Sequence, residues 1–189
     1  MGGGCRLSWG QAMPPRGVTA LLALLGAGPA AAEVKSATAN GFEVASVTTI
    51  AAPADRIYAA LGEVGRWWSP SHTFSRDAAN LSIELRAGGC FCERLKDGGT
   101  VQHMQVVYAA PGEGLRLRGA LGPLQIEGVD GTLAWILKPA DGGTSVTQSY
   151  VVGGYIRGGM EQWAPRIDRV LDEQLQQLKS FVERIPTTR

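Results

Sequence analysis

From Asn80 to Val152 the chain is cut into short β-rich runs by joints of two or three turn residues, and this spacing constrains the fold more than any other feature. The runs are NLSIELRA, CFCERLK, TVQHMQVVYA, GLRLRGAL, GTLAWILKP and TSVTQSYVV. The joints between them carry turn chemistry: Gly88-Gly89, Asp97-Gly98-Gly99, Pro111-Gly112, Gly122-Pro123 and Asp141-Gly142-Gly143. Joints this short connect antiparallel neighbours, because a parallel crossover needs a dozen or more residues. Upstream, FEVASVTTIAA (42–52) is rich in β-branched residues and reads as a further strand. That makes seven strands.

Two segments read as helices. Pro53 suits a first helical turn, and Ile57, Leu61 and Val64 follow at helical spacing. The second, MEQWAPRIDRVLDEQLQQLKSFVERI (160–185), places Ile167, Leu171, Leu175, Leu178, Val182 and Ile185 on one face, widened by Val170 and Phe181. Pro165 fits its first turn and Pro186 ends it. An antiparallel sheet with one apolar face and a long helix with one apolar stripe bury both by packing together, which predicts an α+β domain.

Residues 13–32, MPPRGVTALLALLGAGPAAA, have the pattern of a secretory signal: Arg16, an apolar core from Val18 to Gly28, then Ala30-Ala31-Ala32 as a small-residue cleavage site. Residues 1–32 are therefore expected to be a signal peptide, with Met13 as the more ordinary start. Residues 33–41, EVKSATANG, read as a short polar lead-in, and the domain is expected over 42–186. No stretch after the leader is apolar for the roughly 18 residues that a membrane span needs. Its removal takes away Arg6 and Arg16 and moves the formal net charge from +1 to about −1. Such a balance is no footprint for nucleic acid. A periplasmic or secreted protein is expected.

Strand, short helix, six strands and a long C-terminal helix, in that order, resemble the helix-grip fold of the SRPBCC superfamily, the START and birch-pollen-allergen type. TTIAAPADRIYAAL is similar to its opening, RWW to the Trp pair after its first helix, and AGGCFCE, VVYAAPGEGLRLRG and GTLAWILKPADGGTSVTQSYVVGGY to the rest in order. The resemblance covers about residues 42–185. It implies a seven-stranded curved antiparallel sheet wrapped around the C-terminal helix, with a cavity between them for a small apolar or amphipathic molecule. Polyketide-cyclase or dehydratase members, lipid carriers and chaperone activators share this fold, so the fold alone does not choose among them. The secretory leader argues against the chaperone branch.

Alternation sorts the strand pair at 89–108. A two-residue turn at Asp97-Gly98 or Gly98-Gly99 groups Cys90, Cys92, His103, Gln105 and Val107 on one face. Phe91, Glu93, Leu95, Met104, Val106 and Tyr108 fall on the other, more apolar face, which is assigned to the cavity. A Glu93 desolvated there, its pKa expected to rise, is the candidate acid or base, with Tyr108 or His72 as partner. Gln148 and Tyr150 are candidates for ligand hydrogen bonds, and Trp67, Trp68 and His72 for the cavity opening. The expected ligand-binding set is Trp67, Trp68, His72, Phe91, Glu93, Met104, Tyr108, Gln148 and Tyr150.

Cys90 and Cys92 stand about 6.6 Å apart along an extended strand, near the upper limit of about 6.8 Å for a disulfide. Two reduced thiols on the outer face are the favoured reading, ahead of a strained disulfide or a metal site, for which no fourth ligand is evident. No G-x-S-x-G, H-E-x-x-H, P-loop or dinucleotide fingerprint is present. No metal or cofactor is expected. GGYIRGG (153–159) reads as a hinge before the long helix. The function expected is non-catalytic binding of a small hydrophobic or amphipathic molecule; a cyclase or dehydratase using Glu93, and a protein-interaction module, are the alternatives.

Overall fold

The structure, a computed structural model, describes residues 33–184. Eight strands run in chain order: β1 (Glu33–Thr38), β2 (Gly41–Ile50), β3 (Leu81–Ile83), β4 (Cys90–Arg94), β5 (Thr100–Ala110), β6 (Gly114–Arg118), β7 (Gly128–Ala140) and β8 (Gly143–Tyr155). The helix α1 (Ala54–Gly62) follows β2, and α2 (Met160–Arg184) closes the described chain. The strands form one sheet in the order β1-β2-β8-β7-β6-β5-β4-β3, with every neighbouring pair antiparallel. A sheet gripping a long terminal helix is the helix-grip arrangement.

The strand beyond the expected seven is β1. It falls in the stretch read as a polar lead-in and pairs with β2 from Glu33↔Ala45 to Thr38↔Gly41. It escapes the sequence reading because an edge strand buries little: Val34 and Ala37 are its half-buried side chains, and the rest are exposed. The expected signal peptide, with Met13, and the helix end at Ile185 and Pro186 lie outside the described residues.

Alternation directs the core. Phe42, Val44 and Ile50 of β2, Leu133, Trp135 and Leu137 of β7, and Val146, Tyr150 and Val152 of β8 point to one side. Against them lies the stripe Ala164, Ile167, Leu171, Leu175, Leu178 and Val182 of α2. Each fully buried Val, Leu, Ile or Phe among them contributes about 1.5–3 kcal/mol. The helix begins earlier than its proline suggested, so Pro165 lies inside α2 rather than in its first turn. Two polar ties fix the helix against its surroundings. Gln148 on β8 donates to the Leu171 carbonyl at 2.7 Å, and Gln174 accepts from the Ser69 backbone N–H at 2.7 Å.

The expected hinge is shorter than GGYIRGG. Gly153, Gly154 and Tyr155 still belong to β8, opposite Asp130, Val129 and Gly128. The chain turns at Gly158 and Gly159, both in the left-handed region (φ 84° and 85°) that glycine tolerates. Just before them, Arg157 is clamped to Glu127 through its guanidinium and backbone N–H.

Candidate functional site

Between the short-strand end of the sheet and the N-terminal half of α2 lies a cavity of about 270 Å3. Leu81 and Phe91 form its sheet wall, and Ile167, Val170 and Leu171 its helix wall. Trp68 and Phe74, from the segment after α1, and Leu121 and Pro123, from the turn before β7, complete the apolar lining. Ser71, His72, Thr73 and His103 are the polar residues on it.

The segment 68–74 is held by its own bonds. The Trp68 indole donates to the His72 carbonyl at 3.2 Å, and the Thr73 hydroxyl donates to the Pro70 carbonyl at 2.8 Å. Ser69 and Ser71 share a hydroxyl hydrogen bond, and His72 Nε2 meets Glu173 of α2 at 3.0 Å. Trp67 is buried beside Trp68, with ring centroids 5.7 Å apart, and its indole donates to the Ala60 carbonyl. Of the Trp pair, Trp68 lines the cavity and Trp67 closes the core behind it.

A register shift decides the chemistry of the site. Phe91 pairs with Met104, but Cys92 pairs with Gln102, so His103 is an extra residue on β5. Such a bulge places two consecutive side chains on one face, and both His103 and Met104 are buried. The expectation that His103 shares the outer face with the cysteines is therefore wrong. Its imidazole turns inward, stacks on Phe74 with ring centroids 5.8 Å apart and packs against Phe91 at 5.1 Å. Gly119 faces this bulge: a Cβ there would lie 3.0 Å from the His103 carbonyl. That glycine is the one sequence signal for the close approach.

Glu93 is buried on the cavity side, as alternation predicts, and His103 stands between it and the open space. Its carboxylate accepts from the backbone N–H groups of Phe74 and Ser75 and meets His103 Nε2 at 2.9 Å. Burial alone would raise its pKa, but the hydrogen bonds from Ser75, Phe74 and His103 outweigh it and hold the carboxyl below the ordinary value. The sequence expectation of a raised pKa is corrected accordingly. Burial likewise lowers the His103 pKa, against the opposing pull of Glu93. Both directions favour an ionised carboxylate beside a neutral imidazole at neutral pH.

A second bulge, at Val107, corrects Tyr108. Val106 pairs with Leu117 and Tyr108 with Arg116, so Val107 and Tyr108 both face outward and are exposed. The Tyr108 ring lies under the Arg116 guanidinium at 5.1 Å, on the sheet face away from the cavity. Gln148 and Tyr150 are buried but committed to the fold. Gln148 bridges the Trp135 indole and the Leu171 carbonyl, and the Tyr150 hydroxyl donates to the Gly119 carbonyl and accepts from the Leu121 N–H. Desolvation raises the Tyr150 pKa further above its already high ordinary value. Met104 is core. Trp68, His72 and Phe91 thus reach the cavity from the expected set, while His103 and Phe74 join them from outside it.

Cys90 and Cys92 keep to the outer side of β4 and form a disulfide, with Cα atoms 5.4 Å apart. The strand is locally shorter than the extended value, which is what the reading of two reduced thiols missed. Among the described residues no group of three or more His, Cys, Asp or Glu side chains is placed to hold a metal. No helix there is long and apolar enough to cross a membrane.

Fold and cavity together define a helix-grip protein. The chain belongs to the family described as polyketide cyclase / dehydrase and lipid transport, which it matches over residues 41–183. No curated protein matches it. Among solved structures it is similar to a protein of Mesorhizobium loti (14% identity, TM-score 0.55, covering 77% of this chain and 99% of that one). A protein of Rhizobium leguminosarum (19%, TM-score 0.55, 79% and 99%) and CalU16 of Micromonospora echinospora (14%, TM-score 0.56, 85% and 88%) are similar as well. At these identities the likeness is one of fold.

Proposed function

We propose that this protein binds a small apolar or amphipathic molecule between the sheet and α2. The observation that carries this reading is the cavity of about 270 Å3, walled on sheet, helix and loops by apolar side chains. Membership of a family whose description includes lipid transport agrees with it. The protein acts outside the cytoplasm: the leader pattern at residues 13–32 and the Cys90–Cys92 disulfide both fit an oxidising compartment.

Native mass spectrometry of the purified protein, followed by solvent extraction, tests the binding. A co-purifying small molecule, or added apolar probes that bind at micromolar concentration, is the expected result. Absence of both overturns it. A second reading, chemistry on the bound molecule, is favoured by the Glu93–His103 pair at the cavity wall. In that reading His103 meets the substrate, because Glu93 already accepts from three donors.

A further inference from the structure

The Cys90–Cys92 bridge lies off the cavity and gives little to the fold. Its sequence separation is 2, so it removes little freedom from the unfolded chain. Both cysteines are half-buried on the outer side of β4, where a thiol can approach from solvent. The strand is paired on both sides, Ser82↔Cys92 to β3, and Cys90↔Gln105 and Cys92↔Gln102 to β5. That pairing runs through the backbone, so β4 persists whether the sulfurs are joined or apart. The bridged Cα atoms are 5.4 Å apart, whereas an extended strand spaces such residues at about 6.6 Å with their side chains parallel. Once opened, the bridge has no long loop or converging pair of elements to bring its thiols back together. An accessible disulfide of this kind is the labile, exchanging sort rather than the structural one. Beside it lies an open groove of about 380 Å3. Gln102 and Gln105, the exposed cross-strand neighbours of the two cysteines, line it together with Arg118 and Gln125. The Gln125 side chain is fixed there by donating to the Gln102 carbonyl at 2.9 Å. Side-chain amides offer the donors and acceptors that a peptide backbone needs.

We propose that Cys90–Cys92 is a thiol–disulfide exchange site that oxidises cysteine pairs of polypeptides docked along this groove. A partner thiolate attacks one bridge sulfur. The S–S bond breaks as a mixed disulfide forms, and the other sulfur leaves as a thiolate and takes up a proton. The partner's second thiol loses its proton, attacks the mixed disulfide and departs with a disulfide of its own, while the released cysteine is protonated in turn. Two electrons and two protons have then passed to Cys90 and Cys92, and a small-molecule disulfide restores the bridge by the reverse exchange. The site is separate from the cavity and stands whether or not a ligand binds there.

The tryptic peptide 87–94 carries both cysteines of the bridge and no other, so its alkylation after an acid quench reports their state alone. At pH 7.5, in about 5 mM reduced and about 0.5 mM oxidised glutathione, the bridge should be open in most molecules while circular dichroism shows the fold intact. A bridge that stays closed overturns the proposal. In the same buffer, reduced and unfolded ribonuclease A should recover its activity at least tenfold faster with the protein than with Cys90→Ser/Cys92→Ser. Should that variant fail to fold, protein whose reduced bridge has been alkylated is the control. Equal rates with and without the free cysteines overturn the exchange activity. Gln102→Ala/Gln105→Ala should lose most of the acceleration, and an undiminished rate there overturns the groove as the docking surface.

Discussion

Glu93 and His103 tie stability to pH in one direction. The folded Glu93 pKa is depressed, so its contribution is complete above the ordinary carboxylate value and is lost as pH falls through the depressed one. The folded His103 pKa is depressed too, and the unfolded chain takes up a proton first as pH falls below about 6.5. Asp168 works in the opposite sense: burial and the neighbouring charges of Asp172 and Glu33, against Lys35, raise its pKa, so its cost fades at acid pH. The window between pH 7 and pH 5 therefore belongs to His103, and the melting temperature should fall across it. In His103→Phe that fall should be visibly shallower, measured by thermal unfolding at half-unit steps. An unchanged slope would mean that the imidazole does not sense folding.

At the scale of elements, what the sequence shows and what it hides follow from how much each feature buries. The strands β2 to β8 announce themselves because inward residues alternate with outward ones and turn residues punctuate the runs, although β3 keeps only Leu81–Ile83 of its longer run. The strand β1 does not, since an edge with two half-buried side chains has no period to read. Single inserted residues, His103 and Val107, are equally silent: composition is the same with or without a bulge, yet each puts two consecutive side chains on one face, while Met104 and Val106 between them keep the expected side. One shift moves His103 into the site and the other moves Tyr108 out of it. Glu93, Phe91 and Cys92 keep their expected faces because the inserted residues lie on β5, and β4 itself alternates without interruption. The disulfide across β4 closes a very short loop, with a sequence separation of 2. Chain entropy alone then gives it about 1.5 kcal/mol. A Cys90→Ser/Cys92→Ser double variant should lose about 3–6 °C in melting temperature and keep its affinity for apolar probes, since both cysteines lie on the face away from Phe91. Failure of the variant to fold would assign the bridge a larger part than loop closure allows.

For the whole molecule, the cavity and the stability of the fold are in competition. Lining side chains lose packing partners across the open space, a cost that grows with its volume by about 24 cal/mol per Å3, and an occupant that binds the folded chain recovers part of it by mass action. The bonds between Ser69 and Gln174 and between His72 and Glu173 tie the segment 68–74, one wall of the space, directly to α2. Val170 sits on the helix wall and is only half-buried, so a larger side chain there can grow into the void without displacing the core stripe of α2. Val170→Phe should hold or raise the melting temperature, by about 2–4 °C for each kcal/mol of new packing, while reducing the affinity for naphthalene at least tenfold in equilibrium dialysis. A protein whose cavity is a packing defect would gain the stability and lose nothing else. One whose cavity binds its ligand gains stability at the expense of binding, and a Val170→Phe protein that still takes up naphthalene as before would place the ligand elsewhere.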